Sequence, residues 1–433
     1  MGMFWLQRRQ LRSFLRNSLW VAPVSCMLAA LALARLTRYW NSTLELRLLD
    51  FGLQGARAAV GTIAASMLTF VVFFFSVLLV TVQIASGTLS PRIIARPFQS
   101  WVLKASLGLF VFTFSYGVAV LGRLEDKVLQ LPVLVTVVLS IFSVGTFLFV
   151  VEYVGKQLRP ATVVASVARE GLKIIRSVYP LRCCLAGGAA VAPALGKDSL
   201  RRTILQNGAP GVVVAVNLQR LCALAVKHDC LIEVAPQVGD YVPAAAPLFR
   251  IHAGGDLIRD RDLRNAVLLG RERTLEQDPG FAFRIIVDIA EKALSAAIND
   301  PTTGVLAIDQ LQCLLHELGD RDLSTGTVLD SAGRTRLVYR TPNWEDFVSL
   351  AVSEIRQYGA GSVQVVRRLR SMLVSLLAAV PPSRQPCLQE QLDLLQAGVD
   401  RAFFDPRDRI HAGVPDSQGL GAALPGWFTK SRR

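Results

Sequence analysis

The sequence is poor in the groups that do chemistry near neutral pH. It has four histidines, His228, His252, His316 and His411, and none stands at a metal-ligand or triad spacing. That pattern argues against a histidine-based acid–base site or a zinc centre. No P-loop, GxGxxG or GxSxG is present, so the usual nucleotide and acyl-transfer signatures are missing. The seven cysteines, Cys26, Cys183, Cys184, Cys222, Cys230, Cys313 and Cys387, are odd in number and scattered, with no CxxC. They do not form a disulfide framework and fit free thiols in a reducing compartment. Charged residues make up only 18% of the chain against 52% hydrophobic, a balance that leans toward a membrane protein. The expectation is no catalytic site, no metal and no cofactor.

The distribution of charge decides what the net +14 means. Residues 1–160 hold fifteen Lys+Arg and five Asp+Glu, whereas the remainder holds 32 and 28. The basic excess therefore flanks apolar segments, where insertion rules and anionic lipid favour it. A nucleic-acid footprint would be a basic face on the soluble part, and no such excess exists there.

What is present is long and apolar. No charged residue lies between Arg57 and Arg92. At about 1.5 Å per residue the run from Ala58 to Pro91 makes a helix roughly 50 Å long, more than a bilayer core of about 30 Å requires. Thr62, Ser66, Thr69, Phe73, Ser76, Val80 and Gln83 fall in one four-three register, continued by Gly87 and Ser90, and so share a helical face. Such a stripe is read in two ways, as a seam where small and hydroxyl residues let membrane helices pack, or as a pore lining built by repeating the helix around an axis.

Four spans are expected, at about 19–36, 58–86, 102–121 and 128–151. The first follows Arg8, Arg9, Arg12 and Arg16 and offers a small-x-small site at Ala32-Leu33-Ala34, like a signal peptide; further spans downstream favour an uncleaved first helix. Apart from Lys104, where the third span starts, no Asp, Glu, Lys, Arg or His lies inside spans two to four. Proton-coupled carriers ordinarily keep an acid or base deeper in the membrane, so a passive pore, an anchor or a sensor fits better. With both termini cytoplasmic, nine basic residues flank the spans inside and six outside, which chooses that orientation.

Beyond the spans, residues 161–198 read as a juxtamembrane amphipathic helix and linker, 199–256 as a small β-domain, and 257–405 as a cytoplasmic helical domain with a hairpin at 327–340. Residues 406–433 read as a disordered Gly/Pro/Arg tail. Asp300 before Pro301, and Asn343 before Trp344, are helix-start signals. The Gly239-Asp240 turn and its flanking strands also resemble the barrel-sandwich fold of biotinyl and lipoyl carriers. The nearby Lys227 does not sit at a matching hairpin tip, which argues against a carrier. The expected fold class is a membrane α-helical domain of four transmembrane helices plus a cytoplasmic α+β region, with a small β-barrel-like domain and a helical domain.

Several stretches carry a family resemblance. They are Ser90-Pro91-Arg92, Arg271-Glu272-Arg273-Thr274 with Gln277-Asp278, Val287-Asp288-Ile289-Ala290, Ile298-Asn299-Asp300-Pro301, and Glu345-Asp346-Phe347 leading to Ile355-Arg356-Gln357-Tyr358-Gly359-Ala360. Their set and order resemble an uncharacterised family of predicted bacterial membrane proteins (domain of unknown function 2254). The resemblance implies a bacterial inner-membrane location and no particular reaction, ligand or cofactor. The family usually has a second Gly after the Gly-Asp turn, where this chain has Ala244-Ala245-Ala246. Arg271, Glu272, Arg273, Asp278, Asp288, Asn299 and Asp300 gather polar groups within thirty residues and form a candidate ligand or structural cluster, with caps and salt bridges as the plainer account. The leading expectation is a homo-oligomeric pore lined by the second span. The alternative is a membrane-anchored sensor or scaffold whose cytoplasmic domain binds a partner or ligand.

Overall fold

The computed structural model describes residues 18–43, 52–88, 100–124, 129–157, 159–182, 200–323 and 326–421. The Ser90-Pro91-Arg92 motif, the arginines before residue 18, most of the Ala/Gly/Pro linker after Pro180 and the last twelve positions lie outside them. The chain divides between Thr162 and Val163 into two compact units.

The first unit holds four helices long and apolar enough to cross a membrane. They are α1 (Val21–Thr43), α2 (Leu53–Thr88), α3 (Trp101–Leu121) and α4 (Gln130–Gln157). α1 runs past the expected end at 36 because Arg35 and Arg38 do not interrupt a helix; Tyr39 and Trp40 on the added turns are exposed, as interfacial aromatics should be. α3 is the most buried of the four, packed against α1, α2 and α4. Gly117 on α3 makes this close, since a Cβ there would already touch Ala64 of α2 and Thr136 of α4. Ala56, Val60, Tyr116, Val120 and Val133 form one core cluster; Phe74, Leu78, Phe110 and Val150 anchor a second. Asn41 Oδ1 accepts from Leu131 N at 3.0 Å, capping an orphan amide at the start of α4.

The second unit contains most of α5 (Pro160–Val178), whose Val163, Val164, Val167, Ile174 and Ile175 are buried on one side. It then forms β1 (Leu200–Leu205), β2 (Gly211–Val216), α6 (Leu218–Lys227), β3 (Leu231–Val234), β4 (Tyr241–Val242), β5 (Pro247–His252), α7 (Asp260–Arg264) and β6 (Val267–Gly270). α8 (Pro279–Leu294), α9 (Pro301–Gly319), β7 (Thr327–Leu329), β8 (Thr335–Tyr339), α10 (Trp344–Tyr358), α11 (Val363–Ala379), α12 (Gln385–Ala402) and α13 (Pro406–Ala412) follow.

The expected barrel does not form. The strands make two open sheets, ordered β1-β5-β3-β8-β7 and β4-β2-β6, and no closed barrel exists among the described residues. The reason lies far along the chain. The β7–β8 hairpin turns at Asp330 to Gly333 and lays β8 parallel to β3, pairing Ile232 with Leu337, both fully buried. A barrel would have needed that edge of β3 for its own closure. In the Gly-Asp turn region Ala245 has φ 62°, so an alanine occupies a left-handed position that glycine fills at less cost.

Helix starts follow local chemistry. Asp278, Asp300 and Asn343 cap α8, α9 and α10 through the backbone amides of Phe281, Thr303 and Asp346. Residues 406–421, expected as a structureless tail, instead form α13 and an ordered loop. The cause is Arg367, 1% exposed, which donates to the carbonyls of Val414 and Gly421 and to His411 Nε2. Asp416, also buried, accepts the amides of Gln418, Gly419 and Gly421.

Candidate functional site

Two regions hold the sequence-derived candidates. On α2 the packing side is Ala56, Val60, Ala64, Met67, Phe74, Leu78 and Thr81, all buried. At about 100° per residue, the stripe Thr62, Ser66, Thr69, Phe73, Ser76, Val80 and Gln83 falls on the other side. Every one of these seven is exposed in the single chain. Their hydroxyls bond back along their own helix: Ser66 Oγ to Thr62 O at 2.8 Å, Thr69 Oγ1 to Ala65 O at 3.3 Å, and Ser76 Oγ to Val72 O at 3.1 Å. Phe73 leans toward α4, its ring 5.1 Å from that of Phe147.

Buried hydroxyls such as Thr81, Ser106 and Thr136 bond back in the same way, but two pairs inside the bundle also reach across helices. Thr113 Oγ1 of α3 meets Ser143 Oγ of α4 at 3.1 Å, and Thr37 Oγ1 of α1 meets Tyr116 OH of α3 at 2.9 Å, all four side chains buried. The interior of the bundle therefore combines its apolar clusters with these two cross-helix pairs. The α2 stripe takes no part in it.

In the second unit the polar cluster separates into distinct local structures. Arg273 grips Asp278 through two nitrogens, lies over the Phe281 ring and stacks against Gly239, whose φ of 95° and missing Cβ make room for the guanidinium. Asp288 belongs elsewhere on α8, where Arg284 reaches Asp288, Glu291 and, on α10, Glu354. Burial, then a hydrogen bond with Glu354, pushes the Glu291 carboxyl up to about 7. Asn299 has φ 50°, and Asp300 binds both the amide and the hydroxyl of Thr303; both residues serve the start of α9. Arg271 and Glu272 are exposed and make no ion pair among the described residues. Sequence reasoning named Asp288 but missed Arg284 and Glu354. The i, i+4 spacing of Arg284 and Asp288 was a usable signal, whereas the link to Glu354 spans 70 positions.

A cavity of about 180 Å³ opens beside the Arg273–Asp278 pair. Val216 of β2, Val234 of β3 and Tyr339 of β8 contribute from the two sheets, with Tyr179 after α5 and Gln277-Asp278 before α8. Burial pushes the Tyr179 phenol far up, so it stays neutral. No grouping of His, Cys, Asp and Glu among the described residues is arranged to hold a metal ion.

Comparison with known proteins agrees with the membrane unit. The model of a family described as "Predicted membrane protein (DUF2254)" matches residues 16–375. An uncharacterised protein of Mycobacterium tuberculosis (strain H37Rv) is 27% identical over 421 residues, covering 93% of this chain and 80% of the relative. An uncharacterised protein of Mycobacterium bovis matches to the same extent. No solved structure matches.

Proposed function

From the premise that this chain belongs to the DUF2254 family of predicted membrane proteins, we propose that it is a homo-oligomeric pore of the bacterial inner membrane, lined by α2. One observation carries the reading: the stripe from Thr62 to Gln83 is exposed in the single chain, away from the α2 packing seam, and its hydroxyls serve no partner helix. Left against hydrocarbon, the Gln83 carboxamide would face a solvent with nothing to bond. Repeated around an axis, the same face lines a polar path. Phe73 and Val80 then make its hydrophobic narrowings, with Phe73 braced by Phe147. Small ions are the species such a lining suits.

The basic residues flanking the spans support cytoplasmic termini. The reading assigns no reaction to the second unit, since Asp278, Asp288 and Asp300 of its polar cluster are engaged by arginines and helix caps. Mass photometry in detergent, followed by conductance in planar bilayers, tests the proposal. Oligomers and a current raised by Phe73→Ser are expected. A monomer, or silent bilayers from intact oligomers, sinks it. A C-terminal fusion to a reporter active only in the periplasm should stay dark.

A further inference from the structure

The cavity between the two sheets has a chemistry of its own. Its size comes first. An apolar cavity of about 150 Å³ accommodates benzene, so 180 Å³ suits a six-membered ring or branched chain carrying one small polar group. Val216, Val234, Leu218 and Pro342 supply apolar wall for such a body.

Its hydrogen-bonding state comes second. The side-chain acceptors of Gln277 and Asp278 at the cavity are already occupied. Gln277 Oε1 takes the Val216 amide at 2.9 Å. Asp278 holds Arg273 with both oxygens and caps Phe281. Asp240, at the adjoining turn, accepts the Gln237 amide at 3.0 Å. Donors remain. Gln277 Nε2 makes no hydrogen bond among the described residues, and the amide is fixed in place by the bond its oxygen accepts. Arg340, exposed at the rim, has no ion pair among the described residues. The Asp278 charge is compensated in place by Arg273, so Arg340 is the uncompensated charge lining the cavity. A guanidinium is also the side chain best shaped to take a carboxylate through two bonds.

We propose that this cavity is a binding site for a small organic monoanion, a carboxylate on an apolar body about the size of benzoate. Arg340 and the Gln277 amide hold the carboxylate, and the aliphatic wall holds the ring. The site is independent of the pore reading: a monomeric, non-conducting protein would still possess it.

Benzoate, with benzamide as its uncharged isostere, is the probe, titrated calorimetrically into the full-length protein in detergent. Saturable benzoate binding, at least tenfold tighter than benzamide, is expected. Arg340→Gln should abolish that preference while leaving the melting temperature of the ligand-free protein unchanged, because Arg340 is exposed. Leu218→Trp, which fills the cavity from its wall, should remove saturable binding of both. Equal affinities for the two probes, a preference that survives Arg340→Gln, or binding that survives Leu218→Trp in a folded protein would each overturn the assignment.

Discussion

The two units treat polar side chains in opposite ways. In the membrane unit the buried ones are hydroxyls, bonded to their own helix or paired across helices, as with Thr113 and Ser143. In the second unit they include four arginines. Arg367, Arg368, Arg321 and Arg336 are all buried, each held by carboxylates, carbonyls or amide groups. The difference follows from solvent. A hydroxyl can satisfy itself on a helix backbone and so survives in hydrocarbon. A guanidinium has five donors and a charge, and its burial is tolerable only where folding from water supplies several partners at once.

Breaking the largest arginine centre should give the largest effect. Arg367→Leu removes the donor for two carbonyls and His411, and should cost about 3 kcal/mol or more. Limited proteolysis should then cut within residues 405–421. Arg407→Leu, on an 89% exposed side chain, is the control and should leave stability nearly unchanged. Equal losses from the two would erase the contrast.

The acid cluster on α8 sharpens it through pH. Glu291 sits at about 7 in the folded protein against an ordinary 4.5. The folded state therefore holds an extra proton across that interval, and stability contributed there falls as pH rises from about 4.5 toward 7. Glu291→Gln should flatten this slope in chemical denaturation. An unaltered slope would show that Glu291 and Glu354 do not share a proton.

Smaller effects compare the hydroxyls. Thr113→Val should cost about 1 kcal/mol by loss of its bond to Ser143, read as reduced resistance to denaturant in detergent. Ala245→Gly should gain up to about 1 kcal/mol by relieving a left-handed alanine, a strain found among described residues only in the second unit. Thr69→Val should change the stability of the single chain by less than about 0.5 kcal/mol, because its hydroxyl bonds only Ala65 O. Its effect should appear in conductance instead. A loss matching that of Thr113→Val would place the stripe inside a packed seam.

Local signals were legible and distant ones were not. Four apolar runs gave four helices, with ends displaced by up to seven positions where polar residues such as Arg38 and Asn41 continued a helix. The caps at Asp300 and Asn343 and the hairpin near Asp330 are chemistry within a few residues, and the sequence displays them openly. The sheet order was hidden, because nothing in Leu231-Ile232-Glu233-Val234 announces Leu337 as a neighbour. The same holds for Arg367, which looks like one of several surface cations on α11 until Val414 and Gly421 are seen to receive it. The stripe on α2 was legible as a face. Which neighbour that face has is not encoded in its spacing.

The parallel pairing of β3 with β8 has a consequence for synthesis. A ribosome delivers β3 roughly a hundred residues before the strand that covers its free edge. During that interval Ile232 and Val234 sit in a sheet with one open side, the state in which nascent chains pair with the wrong neighbour. Chaperone dependence of this protein in cells should therefore be set by the delay before β8 emerges, and truncations ending before Thr335 should aggregate.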